Sequence, residues 1–418
     1  MISFQKFELK NGLKVIVNED PSTPLAAVNI LYKVGARDED ENKTGFAHLF
    51  EHLMFGGSVN IPNYDEPLQR AGGENNAFTN NDFTNYYLTL SAENLETAFW
   101  LESDRMLSLA FSEKSLEVQR NVVIEEFKQR YLNQPYGDVW LLLRPLAYKV
   151  HPYKWSTIGK DISHIENATI GDVKSFFTAY YRPENAILTL SGNVTVENVR
   201  KLAEKWFEGI GSQKAEVRGQ KLEKVYAEEP KQNEKRVLKV EKKVPASRIY
   251  KVYHCCSRMD KEFYATDLLS DVLSKGKSSR LYQSLVKEQK LFTEMNAYMT
   301  GDLDKSLFVF EGRLVNGVEM ERAEKAIDFE IEKIKSGKVS ERELKKSKQQ
   351  IESGIVFSEI NIANRALNLG YYEMLGDASQ INAQVDFYNA VSDAEVQQAA
   401  NDILREENCS VLYYLSGK

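Results

Sequence analysis

Histidine is scarce in this chain, with five in 418 residues. Cysteine is scarcer: there are three, and Cys255 and Cys256 are adjacent. No Cys-x-x-Cys exists, and neighbouring cysteines rarely bridge each other, so neither a disulfide framework nor a thiolate metal site is indicated. Free, buried thiols suit a reducing compartment. No apolar run approaches the ~20 residues that a membrane helix needs. Basic residues do not outnumber acidic ones, 54 against 61, and the net charge is −7. With no basic stripe either, nucleic acid is excluded as a partner. Met1 to Gly12 enters a strand-like pattern directly, without a basic start, an apolar stretch or a cleavage site. No signal peptide is visible, so the expected location is cytoplasmic, or periplasmic if a leader once preceded these residues.

Against that background, two of the few histidines stand four apart, in His48-Leu49-Phe50-Glu51-His52. Residues so spaced are neighbours on a helix surface. At about 100° per residue, His48, His52 and Glu51 fall within about 100° of arc. Leu49, Phe50, Leu53 and Met54 take the opposite, buried side. Gly56 and Gly57 are expected to cap the helix end. Two imidazoles at this spacing suit zinc, and the intervening glutamate suits a general base. The order is the reverse of His-Glu-x-x-His, the inverted zinc-hydrolase signature. Chance would supply it in on the order of one in two hundred chains of this length.

Catalytic zinc takes a third protein ligand and leaves a position for water. The stretch Ser112 to Asn133 reads as a long helix, N-capped by Ser112 and stopped by Pro135. Within it lie Glu125 and Glu126. Adjacent residues point about 100° apart, so only one can face a metal, and spacing alone leaves the choice open. His151, His164 and His254 lack ligand-like spacing and read as structural.

At this length two domains of about 200 residues are expected. Asn11-Gly12 is a hairpin turn leading into the strand Leu13 to Val17. Ala26 to Val34 is a further strand, followed by the histidine helix. Asn76 to Leu90 reads as paired strands, with helices near 92–108 and 112–133 and another strand at Ala186 to Ser191. Residues 211–235 are polar and charged, as in an exposed linker. The expected division is 1–210, 211–235 as linker, and 236–418 as a second domain without a metal motif. Gly276-Lys277-Ser278 superficially suggests a phosphate loop. The required earlier glycine falls at Asp271 and no strand precedes it, so nucleotide binding is rejected.

Several stretches together resemble the pitrilysin/insulinase family of zinc metallopeptidases. They are Thr44 to Phe55, Asn76-Ala77-Phe78-Thr79, Asp82 to Tyr87, Arg120 to Glu126, His151-Pro152-Tyr153, Ile158-Gly159 and Tyr180 to Asn185. The chain is most similar to the half-length branch that includes the mitochondrial processing peptidase β subunit and its bacterial homologues. The likeness is strong over 1–210 and weaker but continuous beyond. It implies an α+β fold: two related domains, each a mainly antiparallel sheet with helices packed on one face. It also implies one zinc ion per chain, held by His48, His52 and Glu126, with Glu51 as catalytic base. Gln119 stands where the family usually has an acid, seven residues before Glu126, and so belongs beside the site. Asn76, Ala77 and Phe78 correspond to the edge strand that binds an extended peptide substrate.

Active family assemblies bring an Arg and a Tyr from a second-half domain onto the substrate. The matching helix here, Leu285 to Thr293, has Val286 and Thr293 in those places. The resemblance therefore implies a zinc-less homologous partner that supplies the pair, giving a heterodimer around a chamber, with a homodimer as the other arrangement. Two competing functions are a non-catalytic structural subunit of a peptidase-like assembly and a metal-binding regulator. Relatives that have become structural subunits typically lose a ligand or the base, whereas every one is present here; metal analysis and a fluorogenic peptide assay with a chelator control separate both readings from hydrolysis.

Overall fold

The Asn11-Gly12 turn starts the first sheet. Gly12 has φ +86°, a left-handed value that a Cβ would strain. It joins β1 (Gln5–Glu8) to β2 (Lys14–Glu19). The computed structural model describes residues 1–211 and 225–417. Four further strands complete the sheet: β3 (Leu25–Tyr32), β4 (Glu74–Thr79), β5 (Thr84–Ser91) and β6 (Ala186–Gly192). Their order is β1-β2-β6-β3-β5-β4, so β4 is an edge strand. All neighbours are antiparallel except β2 and β6.

Every residue of β6 is buried, as expected for a strand covered on both faces. One face carries Tyr32 and Tyr86, which meet Tyr181 and, through it, Phe50 of the histidine helix. Strand alternation turns Asn29, Asn85 and Thr189 to the other face. There Asn85 donates to Asn29 (2.7 Å), and Asn29 donates to Thr189 (3.2 Å). The Ile362–Met374 helix covers this polar patch. It comes close because Gly370 has no side chain: a Cβ there would lie 3.4 Å from both Asn29 Nδ2 and Thr189 Oγ1. Leu369 packs nearby with Ile16 and Ile187.

The second sheet consists of β7 (Arg236–Lys242), β8 (Arg248–His254), β9 (Phe292–Met299), β10 (Leu307–Leu314) and β11 (Cys409–Ser416). Its order, β7-β11-β8-β10-β9, repeats β2-β6-β3-β5-β4 strand for strand, including the single parallel pair. The Phe263–Ser274, Met320–Ser336 and Asp393–Ile403 helices share one apolar core with it. The Val139–Ala147 helix packs in a separate cluster with Tyr250, Val252 and Leu412. The fold is α+β with two related, mainly antiparallel sheets.

The chain divides into two compact units that are interleaved, unlike the simple division expected at 211–235. One comprises Met1–Gln129, Trp155–Tyr226 and Val356–Ala383; the other comprises Arg130–Lys154, Ala227–Ile355 and Gln384–Lys418. Each sheet therefore receives a helix from a distant part of the chain, in addition to the expected helical layer. Much of the proposed linker, residues 212–224, lies outside the described residues. Its end is tied down: buried Glu229 accepts amide hydrogen bonds from Lys149, Val150 and His151 at 2.8–2.9 Å. Gln232, also buried, donates to the Cys409 carbonyl. The expected helix Leu285 to Thr293 is likewise corrected. The helical turn ends at Glu288, Lys290 takes φ +54°, and Thr293 lies on β9.

Candidate metal centre

The histidine helix spans Phe46–Leu53. It starts at Gly45, whose φ of +87° and crowding against the Ile158 carbonyl (2.7 Å from a built Cβ) both require glycine. Its first amides are satisfied from outside the helix. The buried Glu39 carboxylate accepts from the Gly45 and Ala47 amides, each at 2.8 Å. Burial pushes the Glu39 carboxyl well up, against the pull of those two donors. Phe46, Ala47, Leu49, Phe50 and Leu53 are buried, while His48, Glu51 and His52 are half-buried along the other side. The expected glycine cap is displaced. The helix closes at Met54, and Gly57, with φ +88°, turns the chain afterwards against Pro62.

The second helix spans Glu113–Phe127, with Ser112 accepting from the Ser115 amide as N-cap. It continues as a wider turn over Lys128–Leu132 rather than as a regular helix to Asn133. Leu116, Val123, Ile124 and Phe127 are buried. Glu125 is exposed and pairs with Lys128 at 2.7 Å. Glu126 is half-buried and turns to the histidines. Its Oε2 lies 3.4 Å from His52 Nε2 and 3.7 Å from His48 Nε2. The two imidazole rings stand 4.8 Å apart and nearly perpendicular, at 84°.

A ligand atom from each of these three residues lies within 4.8 Å of the others, and among the described residues they form the one such cluster of three or more potential ligands. Four-coordinate zinc with bonds of about 2.1 Å would space its ligand atoms about 3.4 Å apart. Two imidazole nitrogens and one carboxylate oxygen at these separations fit such an ion.

Glu51 is held from the edge strand. Thr79 Oγ1 donates to Glu51 Oε2 at 2.6 Å. Register explains why. Thr79 pairs with Thr84 and Ala77 with Tyr86, so both share the face of Tyr86, towards the histidine helix. Asn76 and Phe78 pair with Tyr87 and Asn85 and take the opposite face. The side chains of Asn76, Ala77 and Phe78 thus do not converge on one place, although their backbone shares the sheet edge. Asn76 Oδ1 accepts from the Ala77 amide at 2.8 Å. Gln119 is half-buried on the helix that carries Glu126. His164 anchors the loop before the histidine helix, its Nδ1 accepting from the Thr44 amide at 3.1 Å.

Sequence reasoning missed Thr79, Thr84 and Glu39 as supports of this centre. Only the alternation along β4 hinted at Thr79. Beneath the site, Tyr86 and Tyr181 join hydroxyls at 3.2 Å, and burial pushes both phenols up, keeping them neutral.

Residues 14–158 match the model of the insulinase family, peptidase family M16, and residues 167–351 match the peptidase M16 inactive domain. A zinc protease, PqqE, from Helicobacter pylori is 35% identical over 344 residues, covering 81% of this chain and 76% of that protein. The chain belongs to the M16 family. Within it, the mitochondrial-processing peptidase subunit beta of Saccharomyces cerevisiae is 29% identical over 203 residues, 48% of this chain and 43% of that protein. The crystal structure of a protease from Helicobacter pylori superposes with a TM-score of 0.93 at 29% identity, covering 99% of this chain and all of that one. This M16 chain thus matches the half-length branch, and the names of its relatives support a peptidase role. Among the described residues, no helix is long and apolar enough to cross a membrane.

Proposed function

We propose that this M16 chain is a zinc-dependent endopeptidase that hydrolyses extended peptides or unfolded segments. The observation that carries the reading is the convergence of His48, His52 and Glu126 beside Glu51. Those three residues would hold one ion per chain. Zinc, when bound there, supplies Lewis-acid chemistry that acidifies a water and polarises a peptide carbonyl. Glu51 takes the proton of the attacking water and passes it to the leaving amine.

The edge position of β4 supports binding of substrate as an added strand along Asn76, Ala77 and Phe78. Such pairing demands extended backbone and little sequence. A peptide arriving there would exchange with Asn76 at the Ala77 amide. Gln119, two turns before Glu126 on the same helix, is assigned a supporting role in which its neutral amide orients the ligands by hydrogen bonding.

A zinc-less homologous subunit completing a heterodimer chamber belongs to the same proposal. Val286 is partly buried against the second core, and Thr293 bonds with Arg313, so neither position presents the Arg and Tyr pair. The match of residues 167–351 to an inactive domain keeps a structural-subunit role as the second reading.

Metal analysis with a fluorogenic peptide assay separates the two. One zinc per chain, cleavage abolished by chelator and restored by zinc is the expected result. Glu51→Gln should retain the metal and lose about 10²–10⁴-fold in turnover. Full turnover in that variant would remove Glu51 from its role. Zinc-loaded wild type that never cleaves, alone or with a homologous partner, would favour the structural subunit.

A further inference from the structure

A general base works only if its oxygen reaches the proton it must take, within about 2.6–3.2 Å. Glu51 has a flexible side chain at a half-buried place, so something must fix its carboxylate. We propose that Thr79 is the positioning residue for Glu51, an inference that rests on the peptidase reading above. Its Oγ1 donates to Glu51 Oε2 at 2.6 Å. This ties one carboxylate oxygen to the edge strand and so fixes the direction in which the carboxylate points.

Thr79 is itself well anchored. It ends β4, directly opposite Thr84 in the register. The Thr84 hydroxyl, fully buried, lies 3.4 Å from that of Thr79 and donates to the Val34 carbonyl at 2.9 Å. Being β-branched, threonine has few rotamers and so a fixed hydroxyl direction. The strand proposed to bind substrate therefore also aims the base, which couples the two parts of the site. Thr79 acts through Glu51.

The test compares Thr79→Val and Thr79→Ser, each loaded with zinc, using the full chain. Valine keeps the shape and branching and removes only the donor. Zinc content should stay at the wild-type level in both. Thr79→Val should lower kcat by about 10–100-fold, because misplacing a catalytic group by about 1 Å has that cost. KM should stay within about twofold, because backbone pairing along β4 is untouched. Thr79→Ser, which keeps the donor, should recover kcat to within about threefold. Unchanged kcat in Thr79→Val, or failure of serine to recover it with zinc intact, would overturn the proposal.

Crystal structures of wild type and Thr79→Val provide a readout that does not depend on turnover. The Glu51 carboxylate should leave its wild-type place in the valine variant, and the same place in both would reject the positioning role. A wild type without zinc-dependent cleavage would instead defeat the peptidase reading, while the displacement of Glu51 would still decide its contact with Thr79.

Discussion

Replacing Arg105 by methionine should strongly destabilise the unit that carries the candidate centre. Arg105 and Glu102 are each 2% exposed. The guanidinium makes two bonds to the carboxylate, Nε to Oε2 at 2.8 Å and Nη2 to Oε1 at 2.7 Å. It also lies 4.4 Å from the Tyr86 ring centre, 4.7 Å from that of Tyr64 and 5.8 Å from that of Phe55. Burial disfavours its charge, but Glu102 and the surrounding tyrosines outweigh that and hold it protonated. In Arg105→Met the Glu102 carboxylate stays buried, with the Tyr64 hydroxyl at 2.5 Å among its donors. Removing one member of such a pair costs about 3–5 kcal/mol, largely from the orphaned charge. For a unit of roughly 150–250 residues, about 4 kcal/mol corresponds to a Tm lowered by about 8–16 °C. The double variant Glu102→Leu/Arg105→Met removes both charges and should recover to within about 2 kcal/mol of wild type, the remainder reflecting the lost partner of Tyr64. Thermal and urea unfolding of the three proteins provide the assay. A double variant as unstable as the single one would refute the reasoning, because the loss would then come from packing.

Other outcomes can be checked independently. Gly45→Ala should cost about 1–2 kcal/mol from the left-handed backbone alone, and more from the Ile158 carbonyl. Lower Tm and weaker zinc binding together would show that the start of the histidine helix sets the ligand geometry. Glu343, bonded to Arg280 and then to Ser340, has its carboxyl lowered from 4.5 to about 2. Its contribution to stability is therefore complete above about pH 4.5 and drains away as pH falls through 2. Glu343→Gln should flatten the acid limb of a urea-midpoint profile over that window, and an unaltered slope would contradict it. Removal of zinc should lower the Tm of wild type but leave that of His48→Ala/His52→Ala unchanged, as measured with and without chelator.

The histidine pair was legible because a helix brings residues four apart together without help from the rest of the fold. The same rule could not choose between Glu125 and Glu126. That choice depends on how a second helix is rotated, fixed by the burial of Val123, Ile124 and Phe127. The strands were legible from their apolar runs. The edge position of Asn76 to Phe78 came only through the family resemblance, because strand order is a property of the whole sheet. Thr79 escaped notice for a related reason: its bond to Glu51 requires both the β4–β5 register and the placement of a helix. The interleaving of the units was also hidden. Nothing local marks Ile362–Met374 as the cover of a sheet whose last strand ends 170 residues earlier in sequence. The fit of Gly370 to Asn29 and Thr189 exists only once both are folded.

The returning helix has a consequence for synthesis on the ribosome. The first sheet can pair its strands long before residues 362–374 emerge, yet until then Ile16, Ile187 and the Asn29 patch lack their cover. A nascent chain halted near residue 210 would expose that apolar and polar strip to chaperones, and a gene split there would leave its first product dependent on the second for closure.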